Sequence, residues 1–125
     1  MLIIKTVKTL GNAALAGSTL FGAQYAFAND NGETLMTAET IMREMPVRDR
    51  YIYVSGIVEG LAYARLVKDS QTTGERDNSG MNCIYEWYFA DDGETHMQIE
   101  QAFRQYPAHF PNIIVSVMIN RECGE

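Results

Sequence analysis

The two cysteines are the residues of this sequence with the clearest chemistry. Cys83 and Cys123 lie about 40 residues apart and are not arranged as C-x-x-C, so their spacing does not indicate a redox-catalytic pair. In an exported protein we expect them to form a disulfide, with two free thiols as the alternative. A bridge that closes a loop of about 40 residues would stabilise the fold by about 4 kcal/mol in the chain-entropy model.

A second group of reactive side chains surrounds the two histidines, His96 and His109. Four acidic residues lie close to them in the sequence: Asp91, Asp92, Glu94 and Glu100. This composition raises the hypothesis of a metal site or a small hydrolase. However, the segment contains no H-E-x-x-H motif, no cysteine-histidine ligand set and no alternating acids of an EF-hand loop. We therefore predict no metal, no cofactor and no enzymatic activity, and interpret both histidines as solvated residues near helix ends.

Length and composition limit the architecture that must position these residues. The chain has 125 residues, of which 46% are hydrophobic and 21% are charged, and this composition is typical of one small folded domain. Ten Lys and Arg residues against sixteen Asp and Glu residues give a net charge of −6. An acidic chain has no broad basic surface for a phosphate backbone, so we predict no nucleic-acid partner.

The first 28 residues have the layout of a secretory signal. Lys5 and Lys8 form a short basic start, and residues 9–29 carry no charge. The uncharged run reaches Ala26-Phe27-Ala28, where small residues at alternate positions suit signal peptidase. We predict cleavage after Ala28 and a periplasmic or secreted product.

The mature chain would begin with a flexible segment over residues 29–34, followed by the folded domain over residues 35–125. Cleavage removes two lysines and no acid, which changes the net charge from −6 to −8. An uncleaved membrane anchor is the alternative, but glycines and polar residues dilute the apolar run between positions 11 and 24. We therefore predict a mature protein without a membrane span.

Apolar spacing predicts an all-α domain, a bundle of about four main helices with one disulfide. The helices are expected at 35–45, 49–67, 96–106 and 111–121. Thr37 or Thr40 would start the first helix, and Pro46 would end it. Thr95 and Gln98 have the spacing of a capping box for the third helix. Pro111 suits the first turn of the last helix, with Ile113, Ile114, Val117 and Met118 on one side.

The helix expected at 49–67 has apolar residues on nearly every side. Gly56, Gly60 and Ala64 form a ridge of small residues at a spacing of four. Each interior glycine costs about 1 kcal/mol relative to alanine, so close approach by another surface would explain it. We expect the ridge to pack inside the domain, with a partner-binding ridge as the alternative. Glu59 is expected on a thin polar strip of this helix.

Two segments link this helix to the third one. Residues 69–80 are rich in Asp, Ser, Thr, Gly and Asn, which predicts a surface loop without secondary structure. Residues 81–90 contain a cluster of aromatic residues and favour a helix over a strand. Within that cluster, Trp87 and Tyr88, together with Glu59, are the expected partner surface.

The sequence from residue 49 to residue 124 resembles the Rap/Tai-type immunity proteins associated with type VI secretion. The resemblance lies in the Y-x-x-G-x-x-x-G pattern from Tyr53 to Gly60, the two cysteines and the proline-started last helix, closing in INRECG at 119–124. It implies a small exported helical protein of the bacterial periplasm, a structural Cys83–Cys123 bridge and a close-packed helix at Gly56 and Gly60. Relatives with known roles neutralise a cell-wall amidase toxin. The resemblance transfers no toxin-contacting residue.

Three functional hypotheses follow. The first is an immunity-type binding protein with a protein partner, for which an acidic surface would speed association with a basic toxin. The second is a periplasmic stress chaperone, since seven methionines offer adaptable apolar surface. The third is a small exported hydrolase or metal-dependent enzyme that uses His96 and His109. The first is the function we predict.

Overall fold

The computed structural model describes residues 36–125, and these residues form an all-α domain. Five helices follow one another along the chain, and no strand occurs within this range. They are α1 (Ala38–Glu44), α2 (Val47–Thr73), α3 (Ser79–Phe89), α4 (Glu94–Gln105) and α5 (Pro111–Cys123). The predicted fold class is confirmed, with five helices in place of about four. None of these helices is long and apolar enough to cross a membrane. The expected signal and cleavage site lie outside the described residues.

The first helix is capped by Thr37 and ends before Pro46, as predicted, but it begins at Ala38, three residues later than the expected range of 35–45. The Thr37 hydroxyl accepts a hydrogen bond from the amide of Thr40, which caps the start of α1. The amides of Ala38 and Glu39 donate to the carbonyls of His109 and Pro107, at 2.8 and 3.0 Å. Two amides that a helix start leaves unpaired are thus satisfied by the loop before α5.

The second helix is longer than predicted. It has 27 residues and continues through Thr73, so the prediction of a loop over residues 69–80 is wrong at both ends. The polar residues 69–73 include no proline or glycine, and the helix ends only at Gly74, which adopts a left-handed conformation and donates its amide to the carbonyl of Ser70. The loop that remains is residues 74–78, because Ser79 already begins α3.

The core lies where α2 meets the other helices. Val54, Val58 and Ala62 form the buried side of α2, and Phe103 is the largest fully buried side chain. The remaining buried apolar residues are Ala38, Ile41, Ile84, Tyr88, Ile99, Ile114, Val115 and Ile119. Every helix therefore contributes to one core, as a small bundle requires.

The aromatic segment is helical, as expected, and the disulfide is formed. Cys83 in α3 is bonded to Cys123 at the end of α5, with their Cα atoms 5.9 Å apart. The bridge joins two helices that are distant in sequence, so it fixes the last helix against the middle of the chain.

The start of α4 differs from the predicted capping box. The helix begins at Glu94, with Gly93 as the N-cap residue. The Asp91 carboxylate accepts the amide hydrogen of Thr95, and the Thr95 hydroxyl contacts the same carboxylate and the carbonyl of Trp87. The hydrogen bond from this hydroxyl is the main reason that the pKa of Asp91 lies below its usual value. The capping group is therefore Asp91.

The last helix begins at Pro111, as predicted, but buries a different side. Ile114, Val115 and Ile119 face the core, whereas Ile113 and Val117 are half exposed. A helix with apolar residues all round does not reveal its buried face from the sequence, because several stripes fit the spacing equally well. The expected common face of Ile113, Ile114, Val117 and Met118 is therefore wrong.

Candidate functional site

The small-residue ridge of α2 faces outward. Gly56, Gly60 and Ala64 are all exposed, and a Cβ atom built on either glycine would meet no atom within 4 Å. The expectation that the ridge packs inside the domain is therefore wrong. Ala64 borders a groove of about 210 Å³ that Arg65 and Lys68 also line. The buried stripe of α2 consists instead of Val54, Val58 and Ala62.

A different glycine provides the close helix approach. A Cβ atom on Gly80, in the first turn of α3, would lie 2.6 Å from Nε and 2.7 Å from Cγ of Arg65 and would also collide with the Asp69 carboxylate. Arg65 donates to Asp69 at 2.8 Å and to the carbonyl of Gly124 at 2.7 Å. Arg65 thus joins α2 to the end of α5, and Gly80 allows α3 to pass beside it.

Tyr88 belongs to the core and not to the surface. Only 2% of its surface is exposed, so its expected role in a partner surface is wrong. Its hydroxyl lies 3.3 Å from the Ser55 hydroxyl and 3.1 Å from Nδ1 of His96. Burial raises the pKa of Tyr88 above its usual value. Two polar partners satisfy a hydroxyl that would otherwise be costly to bury.

A buried ionic cluster continues from His96. Nε2 of His96 lies 3.3 Å from Oε1 of Glu100, and Arg50 donates to that same oxygen at 2.7 Å. Arg104 approaches the other oxygen of Glu100 at 3.3 Å. Arg50 also donates to the carbonyl of Met45 at the end of α1. The cluster joins α1, α2 and α4.

Charge decides the protonation state of Glu100. Burial raises its pKa most strongly, but the hydrogen bond and charge of Arg50 and the charge of His96 together outweigh burial. The pKa of Glu100 therefore lies below its usual value, and the carboxylate is ionised at neutral pH. Removing it would leave Arg50 buried without its partner, which is a costly state.

The two histidines are not brought together in a common site. The prediction that His96 is a solvated residue is wrong, because it is buried against Tyr88 and Glu100, whereas His109 is exposed and packs against Tyr106. No group of three His, Cys, Asp or Glu side chains in residues 36–125 could hold a metal ion. Three grooves on residues 36–125 are lined by residues other than Tyr88, His96 and Glu100. Tyr88, His96 and Glu100 are thus part of the packed interior.

An exposed group of aromatic residues lies above Tyr88, at the crossing of α2 and α3. The rings of Tyr51 and Phe89 lie 6.3 and 4.7 Å from the Tyr88 ring, and 45% and 44% of their surfaces are exposed. The ring of Tyr85 lies 5.9 Å from Phe89. Tyr85 in turn donates to the Glu59 carboxylate at 2.7 Å. We call Tyr51, Glu59, Tyr85 and Phe89 the aromatic patch.

The carboxylate of the aromatic patch is oriented by its neighbour. The hydrogen bond to Glu59 is the main reason that the pKa of Tyr85 lies above its usual value. Glu59 is exposed on the polar strip of α2, as predicted, and its carboxylate lies beside the Tyr85 ring. A carboxylate next to aromatic rings can bind a guanidinium or an ammonium group by charge, hydrogen bonding and cation–π attraction.

Trp87 has a mixed environment. It is half buried and packs against the core, and its carbonyl accepts the Thr95 hydroxyl. Of the three residues expected at a partner surface, Glu59 alone is in the aromatic patch.

Sequence reasoning missed Tyr51, Tyr85 and Phe89. The spacing of residues offered a signal for two of them. Ile84 and Tyr88 are four residues apart and lie on one side of the helix, and Tyr85 and Phe89 lie together on the adjacent side.

These features define a small all-α protein with one disulfide, a buried ionic cluster and an exposed aromatic patch. No protein-family model, no curated protein and no solved structure matches the chain. The likeness to Rap/Tai-type immunity proteins therefore stays a prediction. The function is inferred below from the aromatic patch.

Proposed function

We propose that this protein is an exported immunity-type binding protein that neutralises a cell-wall amidase by direct contact. The observation that carries the proposal is the aromatic patch, in which three partly exposed rings share the surface with one carboxylate that Tyr85 holds by a hydrogen bond. Aromatic side chains that keep a rigid position and a polar handle dominate the binding energy of protein interfaces. Tyr51 and Phe89 are held from below by the buried ring of Tyr88, so they lose little freedom on binding.

Charge supports a basic partner. The chain carries a net charge of −6, and Glu59 lies within the patch. Glu86 is exposed on the same side of α3 as Phe89, three residues earlier, while Arg48 is an exposed basic residue one turn before Tyr51. A lysine or arginine of the partner would meet Glu59 beside the Tyr85 ring. Long-range attraction to an acidic protein would also speed the encounter.

The architecture supports a protein that binds without rearranging. Helices α3 and α5 are covalently joined through Cys83 and Cys123, and the ionic cluster around Glu100 joins α1, α2 and α4. A stapled bundle presents the same surface before and after binding, which reduces the entropic cost of association. The predicted secretory signal would bring this surface to the periplasm, where a cell-wall amidase acts.

Survival of cells under attack tests the proposal. A type VI secretion amidase directed to the periplasm lyses the cells that produce it, and co-production of this protein with its own signal should restore growth. The Phe89→Ala variant should lose the protection, because it removes an exposed ring from the patch.

Phe110→Ala is the matched control. Phe110 is the same residue type with 45% of its surface exposed, close to the 44% of Phe89, but it lies at the start of α5 outside the patch. Protection should survive this change. Lysis in the presence of the folded, exported wild-type protein across a panel of such amidases would overturn the proposed function. Equal protection by both variants would overturn the role of the patch.

A further inference from the structure

A second surface feature lies away from the aromatic patch, in a groove between α4 and α5. The groove has a volume of about 300 Å³, which is at the small end of ligand-binding sites. Its floor includes Ile114 and Met118, and its open side is lined by Ile113 and Val117, of which 50% and 54% are exposed. The walls are therefore largely apolar and reach solvent.

The charged residue that lines this groove, Arg121, has the opposite sign to the net charge of the protein. Arg121 lines one end of the groove and makes no ion pair or hydrogen bond with another described residue. His109 also lines it, with its ring against Tyr106 at 5.8 Å. None of the lining residues is acidic. An unpaired guanidinium beside apolar walls, in a chain of net charge −6, favours an anionic ligand with an apolar body.

We propose that the groove between α4 and α5 binds the anion of a medium-chain fatty acid, with the carboxylate on Arg121 and the acyl chain along Ile113 and Val117. Ile113, Val117 and Arg121 follow one another at a spacing of four, so they form one row along α5. The row is about 12 Å long at 1.5 Å per residue, close to the length of an extended ten-carbon chain. This site is independent of the proposed immunity function.

The size of the groove favours an acyl chain over a partner helix. A docked helix inserts a row of several side chains as anchors, whereas this groove has a volume of only about 300 Å³. A single flexible chain fits that space and leaves its head group at the guanidinium. Each added methylene that leaves water should tighten binding by about fourfold, until the groove is full.

Titration calorimetry with octanoate, decanoate and decanol tests the site on the folded, disulfide-bonded protein. Decanoate should bind more tightly than octanoate by about tenfold or more, because two further methylenes are buried. Decanol should bind at least tenfold more weakly than decanoate, because it has no charge to meet Arg121. Equal affinity for decanoate and decanol would overturn the role of Arg121.

Two variants locate the ligand. Arg121→Gln should abolish the preference for decanoate over decanol, and Val117→Asp should abolish binding of both. Arg76→Gln is the control, since Arg76 is an exposed arginine in the loop after α2 that does not line the groove. Unchanged decanoate binding in Arg121→Gln and Val117→Asp would place the ligand elsewhere. Binding of a short leucine-ended peptide with a free carboxylate, without binding of decanoate, would overturn the fatty-acid assignment.

Discussion

Substitution of two glycines by alanine gives opposite effects on stability if the helix packing is as described. Gly80 lies in the first turn of α3, where a Cβ atom would be 2.6 Å from Nε of Arg65. Gly60 lies in the middle of α2, where a Cβ atom would meet nothing within 4 Å. The same chemical change therefore meets a tightly held arginine at one position and solvent at the other.

The magnitudes follow from the surroundings of each site. At Gly80 the new methyl group must displace Arg65, which also donates to Asp69 and to the carbonyl of Gly124. Overpacking of this kind costs about 1–3 kcal/mol. The helix preference of alanine returns about 1 kcal/mol, so the net loss is up to about 2 kcal/mol. At Gly60 only the helix preference changes, so the variant should gain up to about 1 kcal/mol.

Thermal and urea unfolding followed by far-UV circular dichroism measure both variants with the disulfide intact. For a domain of this size, a change of 1 kcal/mol shifts the Tm by about 4–8 °C. The Tm of Gly80→Ala should fall and that of Gly60→Ala should rise. A Tm for Gly80→Ala that rises as much as that of Gly60→Ala would refute the close approach of α3 to Arg65. A lower Tm for Gly60→Ala would show that the outer face of α2 is covered within the domain.

Three further predictions concern the disulfide, the ionic cluster and the aromatic patch. Replacing both Cys83 and Cys123 by serine should lower the free energy of unfolding by about 4 kcal/mol in urea titrations, because a closed loop is lost; a loss below about 1 kcal/mol would contradict this. Glu100→Gln should cost about 3 kcal/mol at pH 7. In the folded protein the pKa of Glu100 lies below its ordinary value of 4.5. The free energy of unfolding of the wild type should therefore decrease as pH falls below about 4.5. Glu100→Gln should lack the part of this decrease that protonation of Glu100 causes. Glu59→Gln should lower the pH at which Tyr85 ionises, as followed by ultraviolet absorbance with Tyr85→Phe identifying the signal; an unchanged titration would exclude the hydrogen bond.

Local signals were sufficient to predict where several helices begin and end. Thr37 supplies a side-chain cap for α1, and Pro111 supplies the fixed backbone angle for the first turn of α5. These effects act within a few residues and do not depend on the rest of the fold. The pairing of Cys83 with Cys123 was also predictable, because the chain has only two cysteines.

The length of α2 shows where local reasoning fails. Polar residues from Asp69 to Thr73 have the composition of a loop, but they include no helix breaker before Gly74. The Asp69 carboxylate accepts from Arg65 one turn earlier, and the Thr73 hydroxyl donates to the Asp69 carbonyl. Such contacts between neighbouring turns satisfy the polar groups within a helix, so composition alone does not distinguish the two states.

Buried faces and the binding surface depend on tertiary packing. On α2 and α5, apolar residues surround the helix, so spacing allows several buried stripes, and Gly60 and Ile113 were placed on the wrong side. The prediction of Tyr88 at a partner surface is wrong, because Ser55 and His96 satisfy its hydroxyl within the core. Neither partner is close enough in the sequence to be recognised as such.

We infer that the aromatic patch binds a cell-wall amidase through its rings and one carboxylate. The most direct measurement uses a type VI secretion amidase from whose lytic activity the protein protects cells. The Kd of the purified protein for this amidase is determined by calorimetry at low and at high salt. We expect a one-to-one complex whose Kd rises with salt. The Kd should rise at least tenfold more in Glu59→Lys than in Glu122→Lys. Glu122 is the control because it is an exposed acid at the end of α5. An equal effect of the two charge reversals, or a Kd independent of salt, would contradict the claim.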